Sequence, residues 1–221
     1  EEWLKEHPFD AGSGWASEPW HQEEMPLAAW MLRQARESTD TAIVVIGRTA
    51  GEDQDNKAEA GSYYLTDTEE EMIELVCDAF DRTIVLLNVG NIIDMRWVRR
   101  YGPSAVAYVW QGGQEGGNGV LDVLKGTVNP SGKLNETYPV RYEDTPAFKY
   151  FPSEQRNSEY REGLFIGYRY YDTAKVKVLY PFGFGLSYTK FEYSDLDIQK
   201  DGVEFTLTNA GKMDGAEITQ L

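Results

Sequence analysis

Eleven residues, Ile46-Gly47-Arg48-Thr49-Ala50-Gly51-Glu52-Asp53-Gln54-Asp55-Asn56, concentrate the side chains of this chain best suited to proton chemistry. A short apolar run over residues 42–46 leads into them, and the next helix signal arrives only at Thr66. Loops of that length in compact domains are usually functional or disordered. Loops at the carboxyl ends of strands in open α/β sheets are where ligands usually bind. Glu52 is therefore the leading candidate for a reacting group, since a carboxyl can give a proton to a leaving group or take one from water. Asp53 and Asp55 would raise its pKa by like-charge repulsion, whereas Arg48 would lower it. In a chain with 37 acids most loop glutamates are merely solvated, so by themselves these residues mark a site without deciding its reaction.

The other chemistry-bearing residues have simpler readings. His7 and His21, the two histidines, fall in a Trp-, Gly- and acid-rich stretch without ligand spacing, so no metal site is expected. Cys77, the single cysteine, sits among Met72, Ile73, Val76 and Phe80 at helical spacing and reads as a buried structural thiol. Gln111-Gly112-Gly113-Gln114-Glu115-Gly116-Gly117 could bind an anion through backbone N–H groups. It matches neither the dinucleotide fingerprint nor the P-loop, and a tight turn into a close-packed helix explains it better. No cofactor is implied. Asn135-Glu136-Thr137 fits a glycosylation acceptor, a pattern common by chance.

The elements that must position Glu52 follow from periodicity. Residues 1–26 read as an ordered loop or arm. Pro26 then opens a helix with Leu27, Ala28, Met31, Leu32 and Ala35 on one face. Residues 42–46, 83–88 and 105–110 are continuous apolar runs, alternating with helices from Thr66 and over 91–101 and 118–125. Such runs indicate a mostly parallel sheet sandwiched between helices. Thr66 and Glu69 have capping-box spacing, which makes the acidic start of that helix mostly structural. From Tyr138 to Tyr188 aromatics, prolines and glycines replace helical periodicity, and an aromatic-packed connector is favoured over a sugar-stacking surface. Beyond Phe191 alternation over 191–193, 196–198 and 203–209 predicts the beginning of an all-β sandwich.

Composition limits the partners. The chain has 221 residues, 41% hydrophobic and 26% charged, enough for one or two domains with a real core. A formal net charge of -16 argues against nucleic acid and anionic membrane surfaces, which need clustered Lys and Arg. The apolar runs are far shorter than the ~20 residues of a membrane helix. One cysteine requires no oxidising compartment. No signal peptide is visible and a cytoplasmic location is favoured over secretion, but the chain opens Glu1-Glu2-Trp3 without Met and reads as a fragment.

Taken together, Gly51-Glu52-x-x-Asp55 after a strand, the segment 111–117, Asn129-Pro-Ser-Gly-Lys-Leu, Tyr160-Arg-Glu-Gly-Leu-Phe-Ile-Gly-Tyr-Arg-Tyr-Tyr-Asp and Pro181-Phe-Gly-Phe-Gly-Leu-Ser-Tyr-Thr resemble family 3 of the glycoside hydrolases, above all bacterial β-glucosidase-like members. The resemblance covers about residues 40–195. It implies that residues 1–190 are part of an α/β sandwich domain and that 191–221 begin a fibronectin type III-like domain. It further implies a retaining β-glycosidase acting on terminal β-glucosyl residues through two carboxyl groups. Glu52 takes the place of the family's acid/base, and the nucleophile is expected in a (β/α)8 barrel absent from this chain. Arg48, Asp53 and Asp55 are then candidate leaving-group contacts. The family often has glycine and arginine where this chain has Asp53 and Asn56, so extra polar groups are expected beside the acid. Two alternatives stay open: a non-catalytic carbohydrate-binding or scaffolding module in which Trp15, Trp20 and Tyr63 hold sugar, and a related hexosaminidase or xylosidase with a different acid/base.

Overall fold

A computed structural model describes the chain except residues 16, 50–54, 154, 155 and 221. The elements run in the order α1 (Glu2–Glu6), α2 (Ala29–Arg36), β1 (Thr41–Gly47), α3 (Asp67–Ala79), β2 (Arg82–Asn88), α4 (Arg96–Tyr101), β3 (Ala105–Tyr108), α5 (Gly116–Leu124), β4 (Tyr138–Pro139), α6 (Tyr168–Ala174), β5 (Val178–Tyr180), β6 (Phe191–Ile198) and β7 (Val203–Asn209). They fall into two compact units, one of Glu1–Gln114 with Val140–Phe148, the other of Glu115–Pro139 with Lys149–Leu221.

The first unit is built on a parallel sheet in the order β1-β2-β3, with Val44 level with Val85 and Leu86 level with Ala107. The apolar runs are the strands, and their alternation decides what each face meets. Val44 and Ile46 of β1 point into the core with Val85, Leu87 and Val89, and Ile73 of α3 is buried with them. Ile43 and Val45, on the other face of β1, stay about half exposed. α3 packs on β1 and β2 and is flanked by α2 and α4. Its capping box forms as the sequence predicts: Glu69 N donates to Thr66 Oγ1 at 3.1 Å and Thr66 N donates to Glu69 Oε2 at 2.8 Å. Cys77 is partly buried on this helix, and burial pushes its thiol pKa up. Among the described residues no helix is long and apolar enough to cross a membrane.

Some boundaries move. Pro26 lies outside α2, whose extended N-cap is Ala28. The helix expected over 91–101 begins only at Arg96, because tertiary bonds claim the preceding backbone: Asn56 Nδ2 donates to Ile92 O, Ile93 N to the Tyr108 hydroxyl and Asp94 N to Tyr63 O. Competing partners for those N–H and C=O groups leave nothing for a helical ladder.

In the second unit the stretch expected to lack helices contains α6, bounded by Gly167 and Lys175, both at positive φ. Seven aromatic-rich residues are too few for a 3.6-residue pattern to stand out. Antiparallel β4 and β5 bring Tyr138 edge-on to Tyr180, which also packs on Phe184. Asn129 joins distant segments: its Oδ1 accepts from Ser187 Oγ and Tyr188 N, and its Nδ2 donates to Asp214 O. β6 and β7 form an antiparallel hairpin. The pattern over 191–198 reads as two pieces because the register shifts between Ser194 and Asp197, where Asp195 has φ 54°. A local bulge of this kind resets which residues share a face.

Candidate active site

β1 ends at Gly47, and Arg48 prolongs its ladder by donating its N–H to Asn88 O at 3.1 Å. Thr49 N then donates to Trp20 O at 2.8 Å, tying the N-terminal arm to the exit of the strand. The loop therefore leaves the carboxyl end of a parallel strand, as expected of a ligand-binding position. Glu52 and Asp53 lie outside the described residues. The two ends of their segment, at Arg48 and Asn56, are described in full.

Arg48 is 6% exposed and points into the protein. Its Nη1 and Nη2 donate to Glu69 Oε1 at 2.5 Å and Oε2 at 2.8 Å, a two-pronged pair in which Glu69 is 1% exposed. The remaining donors go to backbone carbonyls, Nε to Ser62 at 3.2 Å, Nη1 to Gly47 at 2.8 Å and Nη2 to Tyr64 at 3.3 Å. A guanidinium has five N–H groups, and all are engaged within the chain. Arg48, expected as a leaving-group contact, thus directs its donors inward, to Glu69 and to three backbone carbonyls. The spacing of Glu69 from Thr66 announces only its capping role, because its second partner, Arg48, lies on another element.

Asn56 is likewise turned inward. Its Nδ2 donates to Ile92 O at 2.9 Å, its Oδ1 accepts from Ser62 Oγ at 3.0 Å, and its carbonyl accepts from the Tyr142 hydroxyl at 3.1 Å. The expected extra amide beside the acid is thus spent on the stem of the loop. Asp55 is exposed at the surface. Its carboxylate is close enough to Tyr142 to add to the effect of burial, the larger cause, in pushing that phenol's pKa up. Asp55 is accordingly the described candidate that still faces outward.

Ser62 joins the two ends. It is 2% exposed, its carbonyl takes the Arg48 Nε–H, and its hydroxyl donates to Asn56 Oδ1 while accepting Lys57 N–H at 3.0 Å. Nothing in the Gly61-Ser62 dipeptide beyond an ordinary turn signal announces this. Glu24 of the N-terminal arm lies near the same pair: burial first, then repulsion from Glu69, raises its pKa, and Arg48 partly offsets both.

Tyr63 cannot serve as a sugar platform in this arrangement. It is 2% exposed and its ring meets Tyr64 and Tyr142 edge-on at 5.1 Å and 5.0 Å. Trp15 is exposed and Trp20 half-buried. His7 stacks on Trp3 at 4.1 Å, and among the described residues no three His, Cys, Asp or Glu side chains could hold a metal ion together. In the glycine-rich segment, a single tight turn over Gly113–Glu115 leads straight into α5, and Gln111 Nε2 donates to Arg48 O at 3.4 Å.

Comparison with known proteins bears on this geometry. The model of the glycosyl hydrolase family 3 C-terminal domain matches residues 29–188. A β-glucosidase of Ruminococcus albus is 50% identical over 224 residues, covering 100% of this chain and 24% of the relative. The crystal structure of a β-glucosidase from Paenibacillus barengoltzii superposes with a TM-score of 0.87 at 46% identity, over 95% of this chain and 24% of that one. β-Glucosidase 3B from Thermotoga neapolitana in complex with glucose gives 0.82 at 36% identity, over 95% and 31%. The chain thus spans about a quarter of the length of these relatives.

Proposed function

Since this chain belongs to glycosyl hydrolase family 3, we propose that it forms the sandwich-domain part of a retaining β-glucosidase and that Glu52 is the general acid/base. The observation that carries this reading is positional. Gly51-Glu52 follows the carboxyl end of β1 in a parallel sheet, and the segment bearing it is pinned at both ends by buried polar contacts. In a retaining reaction one carboxyl attacks the anomeric carbon while the other protonates the leaving oxygen and later takes a proton from water. Glu52 performs the second role on terminal β-glucosyl residues. The nucleophile is carried by a (β/α)8 barrel outside these 221 residues. Asp53 and Asp55, the acids that follow Glu52 in the chain, and Arg48 are the proposed contacts on the leaving-group side.

We further propose that residues 1–190 belong to the α/β sandwich domain and 191–221 to the start of a fibronectin type III-like domain. Two features support the boundary: the family match stops at residue 188, and an antiparallel hairpin begins at Phe191.

The test uses the full-length polypeptide carrying this domain with its barrel. Glu52→Ala should cost ~10²–10⁴-fold on β-glucosides with poor leaving groups and far less on activated aryl β-glucosides. Azide should restore turnover by replacing the missing base. Equal losses on both substrate types, with no response to azide, would refute the assignment.

A further inference from the structure

Residues 160–168 fall within the stretch that matches the family, yet their large apolar side chains are left outside the core of the second unit. Tyr160 is 90% exposed and Leu164 77%, and Phe165, Ile166 and Tyr168 are about half exposed. Single exposed apolar residues are ordinary, but a run such as Leu164-Phe165-Ile166 with all three side chains in water is not. We propose that this segment is an interdomain docking surface, covered in the whole enzyme by the (β/α)8 barrel of the same polypeptide. The inference rests on the reading of the chain as one part of a barrel-bearing β-glucosidase.

The backbone is shaped to present the run. Gly163 and Gly167, at φ 56° and 54°, bracket it in a conformation that a side chain would strain. Phe165 N donates to Glu162 O at 2.9 Å, closing a turn, and Tyr170 N donates to Gly167 O at 3.0 Å at the start of α6. Tyr171 of that helix is buried, so the run is fixed to its unit on the carboxyl side. The Tyr168 ring packs on Phe182 at 5.0 Å, and Phe182 is itself exposed, which carries the apolar surface into the turn after β5. Arg161 is paired with Glu159 and lies over the Tyr150 ring, 4.5 Å from its centroid. Aromatic and aliphatic side chains with an arginine beside them have the make-up of a protein contact.

Charge and length decide the occupant. A net charge of -16 disfavours an anionic membrane surface. The chain spans about a quarter of the length of its relatives, so on the proposed reading most of the enzyme lies outside these residues. A tethered domain meets such a patch at an effective concentration on the order of millimolar, and so takes it ahead of a separate molecule. Among tethered domains the barrel is the one the reaction requires to be held firmly, because the two carboxyl groups of a retaining pair stand only ~5–5.5 Å apart. Domains move relative to one another unless their interface is large and hydrophobic, and an apolar run of this kind supplies the hydrophobic part.

The test begins with the full-length enzyme, unsubstituted. Hydroxyl-radical footprinting compares oxidation of Tyr160, Leu164 and Phe165 in the native and the urea-denatured protein. Docking should slow it about tenfold or more in the native enzyme, in keeping with the burial of an interface centre. Native rates near those of the denatured protein would mean an uncovered surface and overturn the proposal. Photo-reactive variants, Tyr160→benzoylphenylalanine and separately Phe165→benzoylphenylalanine, then identify the occupant, and cross-links into barrel peptides of the same chain are expected. Cross-links into a second copy, into a domain other than the barrel or within residues 1–221, or none at all, would also overturn it. If the full-length polypeptide carries no barrel, the β-glucosidase reading falls and this proposal with it. If Glu52→Ala separates poor from activated leaving groups and the segment is uncovered, only the docking surface is refuted.

Discussion

Arg48 and Glu69 form a buried, two-pronged ion pair that joins the exit of β1 to the first turn of α3, with side chains 2% and 1% exposed. The same glutamate closes the capping box with Thr66, so one carboxylate serves a helix end and a strand end together. Removing either partner strands a charge in the interior. Glu69→Ala should therefore destabilise the fold by about 3–5 kcal/mol, read from chemical denaturation. The double variant Arg48→Met with Glu69→Leu should recover part of that loss. The unpaired charge is then gone, although the Ser62, Gly47 and Tyr64 carbonyls still lack the guanidinium. A Glu69→Ala protein as stable as the parent would contradict the buried pair.

Thr66→Ala tests the cap alone. It removes the hydroxyl that accepts from Glu69 N, at a cost of about 1 kcal/mol. Thr66→Ser keeps the acceptor and should restore most of the stability, whereas equal losses for both substitutions would point to packing instead.

Glu24 gives the fold a pH dependence of defined sign. Its folded pKa is raised above the ordinary 4.5, first by burial and then by Glu69. Between those two values the native state holds more protons than the unfolded chain, so stability falls as pH rises through that window and the cost persists above it. Glu24→Gln removes the ionisation. It should raise Tm near neutral pH and flatten the fall of Tm as pH rises above the ordinary carboxyl value of 4.5. A variant less stable than the parent at neutral pH would show that the charged form is favoured.

Gly61 has φ +79°, and a Cβ there would meet the His21 ring at 2.0 Å. Gly61→Ala should destabilise by about 1–3 kcal/mol from backbone strain and displacement of His21. Unchanged stability would mean the turn relaxes freely.

On the proposed reading, in which the nucleophile belongs to a (β/α)8 barrel, these 221 residues alone should not hydrolyse an aryl β-glucoside. Turnover by these 221 residues alone, abolished by Glu52→Gln, would sink that expectation.

How much of this was legible without coordinates depends on the range of each interaction. Thr66 and Glu69 are three residues apart, so their capping box could be read directly and is present. The apolar runs that became β1, β2 and β3 were legible because continuous burial leaves its mark on neighbouring residues. Membership of the family was legible from ordered motifs, and the match over residues 29–188 agrees with it.

Arg48 is the contrary case. From composition it was a cation beside a candidate acid, yet its partner lies 21 residues away across a strand and a helix, and only folding brings them within hydrogen-bond distance. Asn56 was counted among polar neighbours of the loop until tertiary contacts with Ile92, Ser62 and Tyr142 turned it inward. Tyr63, a candidate sugar contact, was withdrawn into an aromatic cluster. The sequence by itself determined the strands, the capped helix and the family, because periodicity, local hydrogen bonding and ordered motifs are properties of the chain as written. Which polar residues are buried against distant partners, as Arg48 is against Glu69 and Asn56 against Ile92 and Ser62, was decided by the tertiary structure alone, because desolvation obliges each buried donor and acceptor to find a partner wherever the fold supplies one.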